Sequence, residues 1–504
     1  FINIPTTTYT KYEQNLYDFN IKLIADEQIC DEKSGKFGIR TIRLEEKPKQ
    51  NPNGFTCQLY VNEKPVFLKG ANWVPLDVMT GRITDNQYKK AIKLAYEANF
   101  SMLRVWGGGI YENDIFYELC DELGILVWQD FAYACADIPD NKFDFINKAI
   151  AEAEYQVYRL RNHPSLAIYC GGNEKTGSHG LSKKYGDKLI YYYIRGLVEH
   201  LDGTRPYFPS SPWGYGDIGN TKSSGDCHCN SYQTAMISPE NPNGVGIENF
   251  RDALKTFDTS LVSEIAVQGA PLLSSLEKYI PKDKLWPIND IYNLHFMRNP
   301  YDGTGKYFPQ IQLEMAEKMF GKIESVEEFC KKSSTFHSEL LRADLEYHKA
   351  NIKRCSGTMP WMFNDIWPCG TWSVVDYYLT PMPAYYSMKR AFTPQNLIIT
   401  KTMNGFELFI VNETDAEFGY NISDNGLTGA ASAEMEKQVN FYKDMYKYAS
   451  IMTQEEQKRY NTLVDSGAEL IKQKVSIEEL KINYRDKVKD IKVFDKELYY
   501  KSTD

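Results

Sequence analysis

A chain of 504 residues is longer than one ordinary domain and has room for an α/β barrel of roughly 250 residues or more with smaller attachments. Its formal charge of -9 and the lack of any long basic run exclude a nucleic-acid partner, because phosphate binding needs clustered Lys and Arg. No stretch reaches the roughly twenty apolar residues of a membrane-spanning helix, and 10 cysteines in this length are too sparse for a disulfide scaffold.

Residues 15–28 and 37–46 alternate apolar and polar side chains as strands do, with Asp31-Glu32-Lys33-Ser34-Gly35 predicted as the turn between them. This reads as a hairpin belonging to a β-sandwich, since so short a segment cannot close a sandwich alone. From about residue 56 the pattern changes. Strands are predicted at 66–71, 101–106, 124–129, 165–170, 205–210, 225–229, 260–264 and 357–363. Amphipathic helices are predicted near 85–98, 112–122, 143–162, 185–200, 247–256, 310–320, 335–352 and 382–391. Eight short apolar strands alternating with helices imply a (β/α)8 TIM barrel. An open doubly wound sheet is the alternative, but no Gly-rich dinucleotide fingerprint follows any strand.

Beyond Pro394 a strand pair at 396–402 and 406–412 is expected, and then Lys, Glu and Tyr at helical spacing from about residue 431 predict a helical appendage. The expected organisation is therefore α/β: residues 1–50 as the end of an immunoglobulin-like β-sandwich, 51–395 as the barrel, and 396–504 as a small region, β then helical. Cys120, Cys170 and Cys355 sit in apolar segments as buried thiols do, which favours a reducing, cytoplasmic setting. The cluster Cys227-His228-Cys229 has no second pair at zinc-site spacing, and strand alternation turns its members to opposite faces, so no metal is expected there.

Chemistry in a barrel belongs at the C-terminal strand ends. Those ends carry Asn72, Trp73, Arg104, Trp106, Trp128, Asp130, Asn173, Glu174, Asp226, His228, Glu264, Trp361, Asn364 and Asp365. Packing alone does not predict so many polar and aromatic groups on one rim. Glu174 closes the run Leu166-Ala167-Ile168-Tyr169-Cys170, and Glu264 closes Leu261-Val262-Ser263. Two carboxylates on separate strand ends are what retaining glycoside hydrolysis requires, one protonated to assist the leaving group and one ionised to attack. Glu174 suits the acid/base and Glu264 the nucleophile. Arg104 is a candidate cation for keeping Glu264 charged, and a bridge between two barrel strands is its alternative role. The aromatic content of 14%, with 36 Tyr and 8 Trp, is compatible with sugar stacking, although aromatic side chains serve cores more often.

The segments Phe67-Leu68-Lys69-Gly70-Ala71-Asn72-Trp73-Val74-Pro75, Leu103-Arg104-Val105-Trp106-Gly107-Gly108-Gly109-Ile110-Tyr111 and Val127-Trp128-Gln129-Asp130-Phe131 come in order along the chain. With Cys170-Gly171-Gly172-Asn173-Glu174 and Val262-Ser263-Glu264, this series resembles glycoside hydrolase family two, in its β-mannosidase branch, over roughly residues 13–395. Phe37-Gly38-Ile39-Arg40-Thr41 resembles the last strand of the immunoglobulin-like domain that precedes the barrel in that family.

The resemblance implies a retaining exo-hydrolase acting on a terminal β-linked sugar of an oligosaccharide or glycoconjugate, with a covalent intermediate on Glu264 and neither cofactor nor metal. It implies that Asn173 bonds the sugar 2-hydroxyl, that Trp361 lies under the sugar ring, and that Trp106, Asp130 and His228 line the pocket. For His228, support of the site from behind is the alternative to substrate contact.

Two departures bear on the sugar. Ile265-Ala266 follow the nucleophile where the branch has Phe-Gly, and Pro360-Trp361-Met362-Phe363 replaces Tyr-Trp-Gln-Leu, with Pro360 expected to make a bulge. Relative to the family, the N-terminal domains are expected to be absent or cut short. Exo-β-glucosaminidase or another β-glycosidase of the family is the alternative activity, and a catalytically weak carbohydrate-binding relic is the alternative of another class.

Overall fold

The computed structural model describes residues 14–49, 54–175, 186–214, 224–229, 254, 259–296, 306–402, 405–413, 420–423 and 426–429. The expected helical appendage from about residue 431 lies outside them, as does nearly all of the helix expected at 247–256. The chain divides into two compact units. One comprises Phe1–Cys229, Asp258–Glu264 and Arg354–Ile366; the other comprises Asn230–Phe257, Ile265–Lys353 and Trp367–Asp504.

The first unit opens with an antiparallel hairpin, β1 (Leu16–Ala25) and β2 (Gln28–Gly38). Its turn is Asp26-Glu27, with φ of 49° and 61°, and not the expected Asp31–Gly35. A two-residue turn with both φ positive matches the twist of paired strands, and Gly35 lies inside β2 because the Phe19 ring lies across it, 2.7 Å from where a Cβ would stand. The expected partial sandwich is represented among the described residues by this hairpin. The next strand, β3 (Ile42–Glu45), leaves it and pairs with β4 (Gln58–Val61), which pairs with β5 (Lys64–Val66).

The barrel strands follow: β6 (Leu68–Trp73), β7 (Met102–Val105), β8 (Leu126–Asp130), β9 (Leu166–Cys170), β10 (Tyr207–Phe208), β11 (Asp226–Cys229), β12 (Leu261–Ile265) and β13 (Gly357–Thr358). They form one sheet ordered β10-β9-β8-β7-β6-β13-β12-β11. The first barrel strand pairs in parallel with the last, which is the pairing a closed (β/α)8 barrel requires. Between β10 and β11 the Trp213 carbonyl accepts from Asp226 N at 2.9 Å. β6, β7, β8 and β9 are buried at every position, which explains why they read as continuous apolar runs rather than alternating ones.

Helices α1 (Asp85–Glu97), α2 (Asp114–Leu123), α3 (Phe143–Leu160) and α4 (Arg195–Leu201) follow successive barrel strands, α4 directly after a π turn at Leu189–Ile194. Thr84 caps α1 in a capping box with Gln87, and Tyr88, Ala91, Ile92 and Ala95 form its buried stripe. Gly124, at φ 68°, ends α2 in the left-handed conformation that glycine adopts without a Cβ penalty.

The core of this unit gathers Cys57, Leu59 and Val61 with Leu68, Met102, Leu126, Trp128, Ile168, Phe208, Leu261 and Met359. Leu68, Met102, Leu126 and Leu261 are the first residues of their strands, so β4 covers the N-terminal end of the barrel. Arg40 ties the segment after β2 to the same end, donating to the carbonyls of Pro164 and Leu166 at 2.9 and 2.7 Å. The opposite, C-terminal end is left to the polar residues.

In the second unit the helix Val326–Ala350, capped by Ser325, starts nine residues before the 335 expected from periodicity and is buried along most of its length. The hairpin β14 (Gln395–Thr402) and β15 (Gly405–Asn412) packs Ile398, Phe409 and Val411 against Ala350, and Lys349 pairs with Glu413 at 3.0 Å. Among the described residues, no helix is long and apolar enough to cross a membrane.

Candidate active site

Arg104 occupies the centre of the barrel's C-terminal end. It projects from β7, is fully buried, and spends all five guanidinium donors on the side chains of four other residues of the first unit. Nε and Nη2 donate to Asp130 at 3.3 and 2.8 Å, Nη1 to Asn72 at 2.8 Å and to Glu264 Oε1 at 2.6 Å, and Nη2 also to Asn173 Oδ1 at 2.7 Å. Burial alone would lower the Arg104 pKa; the charges of Asp130 and Glu264 more than offset it, and the guanidinium stays charged.

Asp130 is itself fully buried, and its Oδ2 also accepts from Gly107 N at 3.0 Å, so both of its oxygens are engaged by protein. Asn72 donates to the carbonyls of Ser263 and Pro360 at 2.8 and 3.0 Å, which fixes the arginine's acceptor to two neighbouring strands.

Glu264 stands at the end of β12. Burial pushes its carboxyl above the usual carboxylate range, while His228 and then Arg104 pull it back down. Glu174 stands just past β9 with φ 51°, a left-handed conformation uncommon for a side-chain-bearing residue and typical of positions held by their surroundings. Its N–H donates to the Ser211 carbonyl at 2.7 Å, and Asn173 forms parallel bridges to Ala134 and Ser211, so the two residues continue the sheet into the loops.

His228 joins the two glutamates. Its Nδ1 lies 3.1 Å from Glu174 Oε1 and its Nε2 lies 3.3 Å from Glu264 Oε1. Behind it, Ser211 Oγ is 3.2 Å from His228 Nε2 and donates to Asp226 Oδ2 at 2.7 Å. Ser263 Oγ donates to the same carboxylate oxygen at 2.6 Å, and Trp213 N to Oδ1 at 2.5 Å. Burial raises the Asp226 pKa, and the Ser211 and Ser263 hydrogen bonds oppose that rise.

Glu174, His228 and Glu264 each present a ligand-capable atom, and these atoms lie within 4.8 Å of one another. Such a trio also fits a divalent cation, but Arg104 already holds Glu264 at 2.6 Å and places a fixed positive charge beside the site. Strand alternation sends Cys227 and Cys229 to the face opposite His228.

Of the residues expected at the site, Arg104, Asp130, Asn173, Glu174, His228 and Glu264 thus fall in one connected network. Trp106 and Trp361 meet edge to face with ring centroids 4.9 Å apart. Trp73 and Trp128, also at strand ends, are core: Trp73 donates to buried Glu112 at 2.8 Å, and Trp128 lies under Arg104 at 5.6 Å. The strand β13 ends at Thr358, but pairing with β6 runs past it: Pro360, which has no N–H, accepts from Asn72 N at 2.9 Å, and Phe363 N donates to Asn72 O at 2.7 Å, one residue more than a regular parallel ladder, so the chain bulges just after Pro360; the Trp361–Met362 peptide is cis.

Ser211, Ser263 and Cys135 were not among the expected site residues. Ser263 was signalled only by preceding Glu264, and Ser211 by following the fifth barrel strand. Cys135 sits in a loop with no periodicity.

Residues 56–234 match the model of the glycosyl hydrolases family 2 TIM barrel domain. The chain is 31% identical over 416 residues to β-mannosidase B of Thermothelomyces thermophilus, covering 77% of this chain and 46% of that protein. It is 31% identical over 442 residues to the β-mannosidase of Capra hircus, covering 82% and 47%. The crystal structure of β-D-mannosidase from Dictyoglomus thermophilum superposes with a TM-score of 0.72 at 34% identity, over 82% of this chain and 49% of that one. The chain spans about half the length of the curated relatives it matches.

Proposed function

This chain belongs, through its barrel, to glycoside hydrolase family two, and on that premise we propose that it is a retaining exo-β-glycosidase whose substrate is a terminal, non-reducing β-D-mannose residue. The observation that carries the reading is the pair Glu174 and Glu264, with carboxylate oxygens within 4.8 Å of each other across His228. Retaining enzymes hold their carboxyl groups about 5–5.5 Å apart, whereas inverting enzymes leave about 6.5–9.5 Å for a water. The names of the relatives support the choice of mannose.

In this reading Glu264 is the nucleophile. Arg104, held in place by Asp130 and Asn72, keeps it ionised by donating to Oε1. Glu174 is the acid/base. The two His228 contacts are satisfied together when Glu174 carries a proton that it donates toward Nδ1 while the Nε2 proton faces Glu264, and that is the charge state needed to begin the reaction. Glu174 protonates the departing oxygen as Glu264 attacks the anomeric carbon. It then takes a proton from the water that releases the sugar. Asn173, beside Arg104, is assigned to the 2-hydroxyl, Trp361 to the underside of the ring with Trp106 against its edge, and Asp130 to holding Arg104. No step requires a metal or cofactor.

The test is initial hydrolysis of a panel of aryl β-glycosides, covering mannoside, glucosaminide, galactoside, glucoside and glucuronide, with Glu264→Gln as the blank. The anomer first released is read by proton NMR. Release of β-mannose from the mannoside alone is expected. Preference for another sugar reassigns the sugar, first release of the α-anomer overturns retention, and sugar binding without turnover in folded protein identifies a binding relic.

A further inference from the structure

The Glu174 carboxyl is tethered at both oxygens, and one tether is a thiol. Glu174 Oε1 faces His228, and Oε2 accepts from Cys135 Sγ at 3.4 Å. The same sulfur accepts from Asn173 Nδ2 at 3.3 Å. Since Asn173 Oδ1 in turn accepts from Arg104, a chain of hydrogen bonds runs from Glu264 through Arg104, Asn173 and Cys135 to Glu174. It is a second path between the two glutamates, separate from His228. The backbone supports it: Cys135 N donates to the Asn173 carbonyl at 3.0 Å, and Cys135 takes φ 54°, so the loop turns the side chain back onto the residue pair it contacts.

We propose that Cys135 is a positioning residue for the acid/base, whose S–H donor fixes the plane of the Glu174 carboxyl and favours its ionised form in the step that releases the sugar. This rests on the assignment of Glu174 above. Burial, and then the Glu174 charge, push the Cys135 thiol up to about 12, so at neutral pH it is a donor and not a thiolate competing for the sugar. A donor to the charged form of an acid lowers that acid's pKa. Removing it raises the Glu174 pKa, and the alkaline limb of kcat/KM, which reports loss of the acid's proton, moves to higher pH.

The experiment compares pH profiles of kcat/KM for wild type, Cys135→Ser, Cys135→Val and Cys135→Ala. The substrate is the aryl glycoside that wild type cleaves, and the wild-type and Cys135→Val rates are then repeated on its dinitrophenyl counterpart, whose leaving group needs no proton. With Val or Ala the alkaline limb is expected to rise by roughly half a pH unit, the scale of one weak donor. Ser, which keeps a donor, is expected to restore the wild-type limb. Val is expected to cost more on the poor leaving group than on the dinitrophenyl substrate. The same thermal midpoint across the set separates positioning from folding, and Val keeps the packing if Ala does not. Profiles of Val and Ala that overlay wild type on both substrates overturn the inference while leaving the glycosidase reading intact. A wild type that cleaves no glycoside overturns both.

Discussion

Arg104 Nη1 lies 2.6 Å from Glu264 Oε1, joining the second barrel strand to the seventh at the centre of the site. The guanidinium balances Asp130 and Glu264 at once, and its neighbours Asn72 and Asn173 satisfy the remaining donors. Taking such a group out of water is costly, and the network is stable only because every donor is paired.

Removing that centre is therefore expected to affect both fold and rate. Arg104→Met leaves Asp130 buried without its cation and should destabilise the protein by about 3–5 kcal/mol, read by denaturant unfolding. Arg104→Lys keeps the charge but not the five-donor fork, and should retain the fold better than Met while still losing turnover.

The two glutamates should separate by leaving group. Glu174→Gln is expected to lower kcat/KM by about a hundredfold to ten-thousandfold on a poor leaving group, and much less on an activated one. Glu264→Gln should lose at least as much on both, because no substrate feature replaces the nucleophile. Equal turnover in wild type and both variants ends the catalytic assignment.

The acid limb of the rate profile should stand above the ordinary glutamate range, since burial raises Glu264 and the enzyme needs it ionised. His228→Ala removes a partner, 3.3 Å from Glu264 Oε1, that lowers that pKa, so the limb should move further up. A limb unmoved in His228→Ala would mean that His228 does not hold Glu264.

Glu112 gives the corresponding stability prediction away from the chemistry. Burial raises its pKa, against hydrogen bonds from Tyr88 and Trp73. An acid raised in the fold contributes stability that is fully present below its unfolded pKa and lost as pH rises through its folded pKa. Glu112→Gln should therefore compare better with wild type as pH is raised from about 5 to about 8, measured as the difference in Tm.

Gly70 tests the barrel itself. A Cβ there would stand 1.9 Å from the Met102 carbonyl of the adjacent strand, so Gly70→Ala should destabilise by about 1–3 kcal/mol or more, seen in Tm.

Chelation tests the alternative use of Glu174, His228 and Glu264. If protein groups and not a cation hold these carboxylates, EDTA treatment should leave the hydrolysis rate unchanged. Loss of activity with EDTA and its return with a divalent ion would overturn the metal-free reading.

The sequence by itself determined the barrel, because its strands are short, largely buried runs and its longer helices carry apolar stripes. All eight barrel strands lie where apolar runs placed them, and Glu174 and Glu264 were legible because strand ends are where such a fold exposes chemistry. Local pattern misplaced the first hairpin's turn, since Asp26-Glu27 is weak turn chemistry and Gly35 in a strand reads as a break until Phe19 is seen to cover it. Only the tertiary structure decided which strand-end residues face the site and which, like Trp73 and Trp128, fill the core. It also brought Cys135 to Glu174, and Ser211 and Ser263 to the His228–Asp226 pair. Those contacts span 39, 17 and 37 residues of chain, between Cys135 and Glu174, Ser211 and His228, and Ser263 and Asp226. Hydrogen bonds at such separations leave no periodicity behind, because they depend on where the curled sheet sets the strand ends and not on the order of residues along any one of them.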